Sequence, residues 1–578
     1  MSLRLCLVTP FAWSQPHDVN EHVGGIATEL RRLGHRVTVL APSSRAADLL
    51  AGRRALAAGE QADVIALGPA VPISRRSAMG IPVGLRANLS LALALGLYDV
   101  VHAFEPGLPS LSYLALKDAQ ALTVASFFSA ERLGYPPGRT QRERLLSRLD
   151  ALVAATPEVA SAAAERFPGD YAVVSEGVDP GLFDPQPGEK RRLIVLEWRP
   201  ADRALARAAV RTMSELESWE LVLLRTKPLS GRPTIPRALA DRVRSETHRD
   251  GASRAFLLRQ ASIFVPGPGG MRRLRLEAQA AGAAIASPPG TEEQPELAVA
   301  AMARLAENDS LRERAGAEAR AAAEGQSFSA VAAELDGLYR RLSSRRRPRR
   351  DADPLAGREW ILCDLHMHTS WSHDCRVEPA QLVEHAAAEG LGAIAVTDHN
   401  AFGGALEARE LADGQELTVI PGEEIKTDRD GEVIGLFLER EIEAGMPFAE
   451  TLAAIHEQGG LVYVPHPFDR LHSIPDSSTL RRHLAEIDVF EVYNARLLFE
   501  GYNDEALRFA RKYNLTMGAG SDAHVLPGVG TGVLRMRRFE GPEEFLLGLR
   551  GAQILRRPKS LAYLQSLKWV AQVKEKVR

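Results

Sequence analysis

Apolar runs of roughly four to eight residues recur along the chain, separated by longer stretches in which apolar positions repeat with helical period. The first is LRLCLVT, from residue 3. A helix-like stretch follows, and Gly34 stops it before the next run, RVTVLAP. DVVHAFEP, ALTVASFF, ALVAAT and YAVVSEGVD continue the series, and RRLIVLEW, ELVLLRT, ASIFVPG and AAIASPP form a second one. Short buried strands alternating with helices predict doubly wound parallel sheets. Two Rossmann-like halves are expected, residues 1–178 and 179–342, meeting near residue 180.

After the helix-like SAVAAELDGLYRRL, the stretch SSRRRPRRDADPLAGRE at 343–359 breaks every period with two prolines and five arginines in six residues. It predicts a linker, either a solvated tether or a contact for an anionic surface. From 360 to 560 the pattern changes. WILCDLHMH, GAIAVTDHN, LTVIPGEE, GLVYVPHPFD, VFEVYNAR and LTMGAGSDAH are apolar strands that each end in acidic or histidine residues. Helical stretches such as EPAQLVEHAAAEG and MPFAETLAAIHEQGG separate several of them, the alternation of a barrel whose strand ends converge on one face. Over 561–578, Leu564, Leu567, Val570 and Val573 make one stripe, which predicts an amphipathic helix docked on the protein's own surface.

Composition narrows the class only a little. With 578 residues, 45% hydrophobic, 25% charged and a net charge of -3, the chain is an ordinary multidomain globular protein with no global signature of a nucleic-acid or membrane partner. Cys6, Cys363 and Cys375 form no CxxC pair, so neither a disulfide framework nor a zinc knuckle is indicated. A reducing compartment fits, and without a signal-peptide pattern or an 18-residue apolar run a soluble, cytoplasmic protein is expected.

The histidines change the picture. Ten of fifteen lie between His366 and His524. His366 and His368, two apart on an extended segment, point to one side, so both imidazoles can reach one ion, with Asp374 in the next loop. Taken singly, His373, His385, His456, His472 and His483 read as ordinary surface or core histidines. Six strand ends rich in donors do not, because buried carboxylates and imidazoles without an ion carry a large desolvation penalty. A multinuclear metal site is expected.

DLHMHTSWSHD, VTDHN, PGEE, PHPFD and GSDAH, in this order, resemble the motifs of the PHP (polymerase and histidinol phosphatase) superfamily. The resemblance implies a distorted (β/α)7 barrel, two or three divalent ions and phosphoesterase chemistry. It implies that His366, His368, Glu424 and Asp522 hold one ion, that Glu424 bridges to a second also bound by His466, and that Asp374, His399 and His524 hold the third. Many relatives carry a histidine three residues before the glycine of the strand that follows the bridging glutamate. Here Glu432 stands at that place before Gly435, and a carboxylate can replace the imidazole as ligand. Glu491 is a further candidate ligand or structural group, and Asp398 is expected to orient a ligand from behind. Divalent ions lower the pKa of a shared water from ~15.7 toward ~7 and neutralise phosphate oxygens. Asp374 and His399 are therefore candidate catalytic groups, with Arg470 as a bidentate phosphate contact and Lys426 assisting. The mixed donor set admits manganese, zinc and iron, with magnesium as a further candidate. The expected partner is a small phosphate ester or nucleotide, and a nucleic-acid end stays open.

The first 340 residues resemble two-Rossmann (GT-B) retaining glycosyltransferases, in the branch containing phosphatidylinositol mannosyltransferases. LRRLGHRVTVLAP, HAFEPGLPSLSYLAL, SEGVDPGLF, LEAQAAG and SFSAVAAELDGLYRRL carry the likeness. The overall expectation is α/β: two Rossmann-like domains followed by the PHP barrel. Several donor-binding features are altered. The phosphate-approaching loop reads SQPHDVN, with Gly24 and Gly25 displaced into the next helix, and Phe128 replaces a catalytic histidine. Of two glutamates eight residues apart only Glu277 is present, its partner position being Gly269, and the basic pair is reduced to Arg199 with Arg203 out of register. Arg199 and Glu277 are the remaining candidate donor-binding residues, for a nucleotide sugar. Losing a cradle, an acid/base group and a carboxylate together predicts a degenerate transferase. The alternative is an active retaining glycosyltransferase with the PHP module accessory.

Overall fold

The computed structural model describes residues 2–557 except 60–61, 75–76, 80–84, 227–232, 268–270, 287–293, 349–354 and 471–473. Gly269, His472 and the stripe expected over 561–578 thus lie outside the described residues. The chain forms two compact units, Met1–Arg341 and Leu342–Arg578.

In the first unit, β1 (Arg4–Val8), β2 (Arg36–Ser43) and β3 (Val64–Pro69) precede a hairpin of β4 (Val71–Ser74) and β5 (Ser77–Met79). β6 (Val100–Phe104), β7 (Leu122–Phe127), β8 (Ala151–Ala154) and β9 (Tyr171–Val173) complete a seven-stranded sheet ordered β3, β2, β1, β6, β7, β8, β9. Every pair is parallel, and β6 is buried along its whole length, as a strand covered by helices on both faces must be. A second parallel sheet runs β12 (Val243–Thr247), β11 (Glu220–Arg225), β10 (Leu193–Glu197), β13 (Ile263–Val265), β14 (Ala284–Ile285). Both sheets reverse direction of growth beside their first strand, the topology that places ligand clefts at strand carboxyl ends.

Gly24 and Gly25 lie inside the helix Asp18–Arg32. A Cβ on Gly25 would come within 2.4 Å of the Phe328 ring, so this glycine serves helix packing rather than phosphate approach.

In the second unit one sheet contains nine strands: β15 (Trp360–Met367), β16 (Ala393–His399), β17 (Thr418–Lys426), β18 (Glu432–Leu436), β19 (Leu461–Val464), β20 (Val489–Asn494), β21 (Met517–Gly520), β22 (Gly532–Arg537) and β23 (Gln553–Arg556). Their order is β21, β20, β19, β18, β17, β16, β15, β22, β23. The first seven curl back on themselves through a bridge between Met367 and Ala523, and β22 and β23 extend β15 antiparallel. The expected seven-stranded barrel is present, distorted by β18, which runs antiparallel to both neighbours, and by this two-stranded extension.

The described part of the arginine stretch is bonded to protein at Arg347. The helix Phe328–Ser343 runs into it, and Arg347 donates from its backbone to Tyr513 O and from its guanidinium to Leu484 O and Ala485 O. Asn514 returns a hydrogen bond to Arg347 O at 2.9 Å, which ties the described part of the stretch to the second unit. All three cysteines are free and buried. No described helix is long and apolar enough to cross a membrane.

Candidate metal centre

β15, β16 and β17 are mutually parallel, so their carboxyl ends deliver His366 and His368, His399 and Glu424 to one rim. The loops after β19 and β21 bring His466, Asp522 and His524 to the same place. Because β18 runs the opposite way, its donor must come from its start. That is where Glu432 sits, paired with Lys426 at the end of β17. His466 and Asp522 hold left-handed backbones, φ 26° and 51°, a strained conformation that costs about 1 kcal/mol or more each and turns both side chains inward. Gly520 is obligatory for space: a Cβ there would lie 2.3 Å from that of His366.

Glu424 is the hub. Its Oε2 lies 3.4 Å from His366 Nε2, 3.5 Å from His368 Nε2 and 3.1 Å from His399 Nδ1, and its Oε1 lies 3.1 Å from His466 Nε2. Asp522 Oδ1 lies 3.4 Å from both His368 Nε2 and His524 Nδ1, and 3.9 Å from His366 Nε2. Asp374 meets His524 at 3.0 Å and His399 at 3.8 Å, and Glu432 comes to 3.9 Å from His466. All nine donors expected from the motifs thus converge.

Three triads have donor atoms within 4.8 Å of one another: His366, Glu424 and His466; His366, His368 and Asp522; His368, His399 and His524. Burial depresses the His368 imidazole well below its ordinary range, with His524 beside it adding to the effect, so it stands neutral and able to bind a cation. Burial opposes charge on His399 too, yet Glu424 holds it up to about 9. Asp522 stays well below the usual carboxylate range despite burial, because Arg496 and His366 adjoin it.

The fit to divalent ions rests on the donors themselves. His368 Nε2 is buried without a hydrogen-bond partner among the described residues, a costly state that a coordinated ion would relieve. Behind them the imidazoles are oriented as ligands need to be. Glu491 meets His366 Nδ1 at 3.2 Å and accepts from Tyr463 OH and His466 N. Asp398 accepts from the backbone and hydroxyl of Thr369 and from the Ser372 hydroxyl, which in turn meets His368 Nδ1 at 3.1 Å.

Arg470 is exposed on the loop after His466 and has no charged partner among the described residues. A different arginine enters the site. Arg496 donates from Nη1 to Asp522 Oδ1 at 3.0 Å, lies 3.1 Å from the His524 ring nitrogens, and has Nη2 4.0 Å from Asp374. It was legible only as the last letter of VFEVYNAR, two residues past the end of β20.

In the first unit Glu277 is fully buried, its carboxylate gripped by Arg254 at 2.5 and 2.6 Å and approached by Arg273 at 3.2 Å. Both arginines also bind Glu21 Oε2, at 2.6 and 2.9 Å. Arg199 pairs with Asp202 at 2.7 Å. The Phe128 ring packs 5.0 Å from His22, which is buried and pushed down to about 3 by that burial and by Arg273.

Comparison with known families places these sites. The PHP domain model matches residues 364–498 and the PHP-associated model residues 500–554. The chain belongs to the PHP family. The Glycosyltransferase Family 4 model matches residues 19–182, so a glycosyltransferase module precedes the PHP domain. An uncharacterised protein of Methanocaldococcus jannaschii is 37% identical over 194 residues, 32% of this chain and 76% of the relative. Phosphatidyl-myo-inositol mannosyltransferase of Mycobacterium tuberculosis is 26% identical over 382 residues, 58% of this chain and 96% of that protein. A glycosyltransferase structure from Rickettsia africae shares 15% identity over 58% of this chain and 98% of its own, with a TM-score of 0.41. Within the PHP domain, the Glu432 carboxylate lies 3.9 Å from His466 Nε2, on the His466 side of the cluster.

Proposed function

We propose that the PHP domain is a metal-dependent phosphoesterase acting on a small phosphate ester or nucleotide, and that the glycosyltransferase module is degenerate and positions or recognises the substrate. The observation that carries the first part is Glu424, one buried carboxylate faced by four imidazoles from three separate chain segments. Two or three divalent ions, manganese, zinc, iron or magnesium, would be held by His366, His368, Asp374, His399, Glu424, Glu432, His466, Asp522 and His524, and would supply a water acidified toward neutral pH and charge to neutralise phosphate oxygens.

Entry is on the side of Asp374, His399 and Arg496, whose side chains are 25%, 19% and 23% exposed while His366, His368 and Glu424 are sealed. Water supplies the oxygen that bonds to phosphorus, the ester P–O bond breaks, and the alcohol leaves with a proton. Asp374 and His399, side by side at the mouth, are the candidate catalytic groups through the ion they would hold there. Asp398, Ser372 and Glu491 keep the rings in register during the exchange.

Support for degeneracy in the first module is chemical: Phe128 can neither accept nor donate a proton, and Glu277 is engaged by two guanidiniums. The second reading, an active retaining transferase, draws on the likeness to mannosyltransferases. Incubation with nucleotide sugars separates the two, because detectable donor hydrolysis supports the transferase. The phosphoesterase reading is tested by screening phosphate esters with each metal, using His366→Ala and Asp522→Ala as controls.

A further inference from the structure

The Arg496 guanidinium is built into position rather than lying there by chance. Its backbone N–H donates to Asn494 Oδ1 at 2.9 Å. Asn494 is itself buried and donates to Glu491 Oε2 at 3.0 Å and to Asp522 Oδ2 at 3.3 Å, while its backbone N–H donates to Oδ1 of the buried Asn503 at 2.9 Å and its carbonyl accepts from Asn503 Nδ2 at 3.1 Å. Two asparagines therefore fix the segment after β20 against the helix Glu500–Tyr513. The side chain then reaches back to the rim, touching Asp522 and His524 through Nη1 alone.

A permanent cation beside a cage of cation ligands is unfavourable unless something negative stands between them. The residues that approach Arg496 from other elements are Asp374, Asp522 and His524, and in the proposed enzyme all three are ligands. Among the described residues its remaining N–H groups have no acceptor at hydrogen-bond distance, and it is part-exposed at the mouth. A guanidinium presents parallel donors in a fork that matches two oxygens on one phosphorus, which a lysine ammonium does not.

We propose that Arg496, and not Arg470, is the residue that recognises the phosphoryl group, and that the substrate is a terminal phosphomonoester. This rests on the phosphoesterase reading. A terminal phosphate offers three unesterified oxygens, so two can enter the fork with one still turned toward the donor cluster. A diester offers two, and gripping both leaves none.

The test uses the full chain loaded with manganese, para-nitrophenyl phosphate and bis-para-nitrophenyl phosphate as probes, and Arg496→Lys, Arg496→Ala and Arg470→Ala variants. Metal content is measured by elemental analysis and inorganic phosphate binding by calorimetry. Loss of bidentate charge-assisted contacts is expected to lower kcat/KM for the monoester by roughly 10²- to 10³-fold in both Arg496 variants. Phosphate affinity should fall at least tenfold, while metal content and Arg470→Ala activity stay at the parent level. Parent-like phosphate binding and monoester turnover in Arg496→Ala would overturn the assignment, as would a drop in metal content, which would make Arg496 a support for Asp522. A parent protein that prefers the diester overturns the monoester assignment alone. A metal-loaded parent that hydrolyses neither ester and binds no phosphate overturns the phosphoesterase reading together with the inference.

Discussion

Replacing Arg254 with Met tests how strongly buried charge ties the helices around Glu277 together. Arg254 is 2% exposed and ties the helix Gly251–Leu258 to Glu277 on Arg272–Ala280 and to Glu21 on Asp18–Arg32. The substitution removes two contacts at 2.5 and 2.6 Å from a carboxylate with no solvent exposure, leaving only Arg273 at 3.2 Å. Stranding one partner of a buried pair costs about 3–5 kcal/mol. At about 1.4 kcal/mol per tenfold change, that is roughly two to four powers of ten in opening. Native-state hydrogen exchange of the helix Arg272–Ala280 reads it directly. Arg254→Met should lose two to four decades of protection there, and adding Glu277→Leu should restore most of it, since the stranded carboxylate is gone and Arg273 keeps Glu21 as its partner. A change of less than tenfold in the single variant would refute the claim that this network holds the Glu277 carboxylate in place.

Other outcomes follow from the same geometry. Chelation should lower the thermal midpoint of the PHP domain, and added manganese should raise it, with hydrogen exchange in β6 of the first unit unchanged; equal effects on both units would contradict a site confined to the second. In the ion-free site Glu424 holds His399 up to about 9, so a ligating ion must displace a proton there, and metal uptake at equilibrium should rise between pH 6 and pH 8.5; uptake flat with pH would speak against His399 as a ligand. His456 pairs with Asp488 on the surface, so His456→Ala should keep full metal content and activity while His368→Ala loses both. Glu277→Ala should leave phosphatase activity unaltered and produce no nucleotide-sugar turnover, as measured by donor hydrolysis.

The donors were legible because each sits at the end of an apolar run, so a local pattern marks a residue whose partners are far away. His366 and His524 are separated by more than half the domain, yet both announce themselves in strand-end motifs. Glu432 was legible only through the resemblance, since β18 is antiparallel and carries its donor at the start, where no strand-end rule finds it. Arg470 against Arg496 shows the limit. Both follow a strand within a few residues of a buried donor, and only the Asn494–Asn503 pairing, a tertiary contact, turns one of them inward. Glu277 failed to show its surroundings for the same reason: the two arginines that take its charge come from one neighbouring turn and one separate helix, and Glu21 from a third.

The central claim is that one cage of nitrogen and oxygen donors holds divalent ions around Glu424. Anomalous scattering at the manganese edge from crystals grown with manganese tests it most directly. The account predicts two or three peaks within coordination distance of Glu424, Asp522 and the His366, His368, His399, His466 and His524 rings. An ordered site with full occupancy of protein density and no anomalous peak there would contradict it.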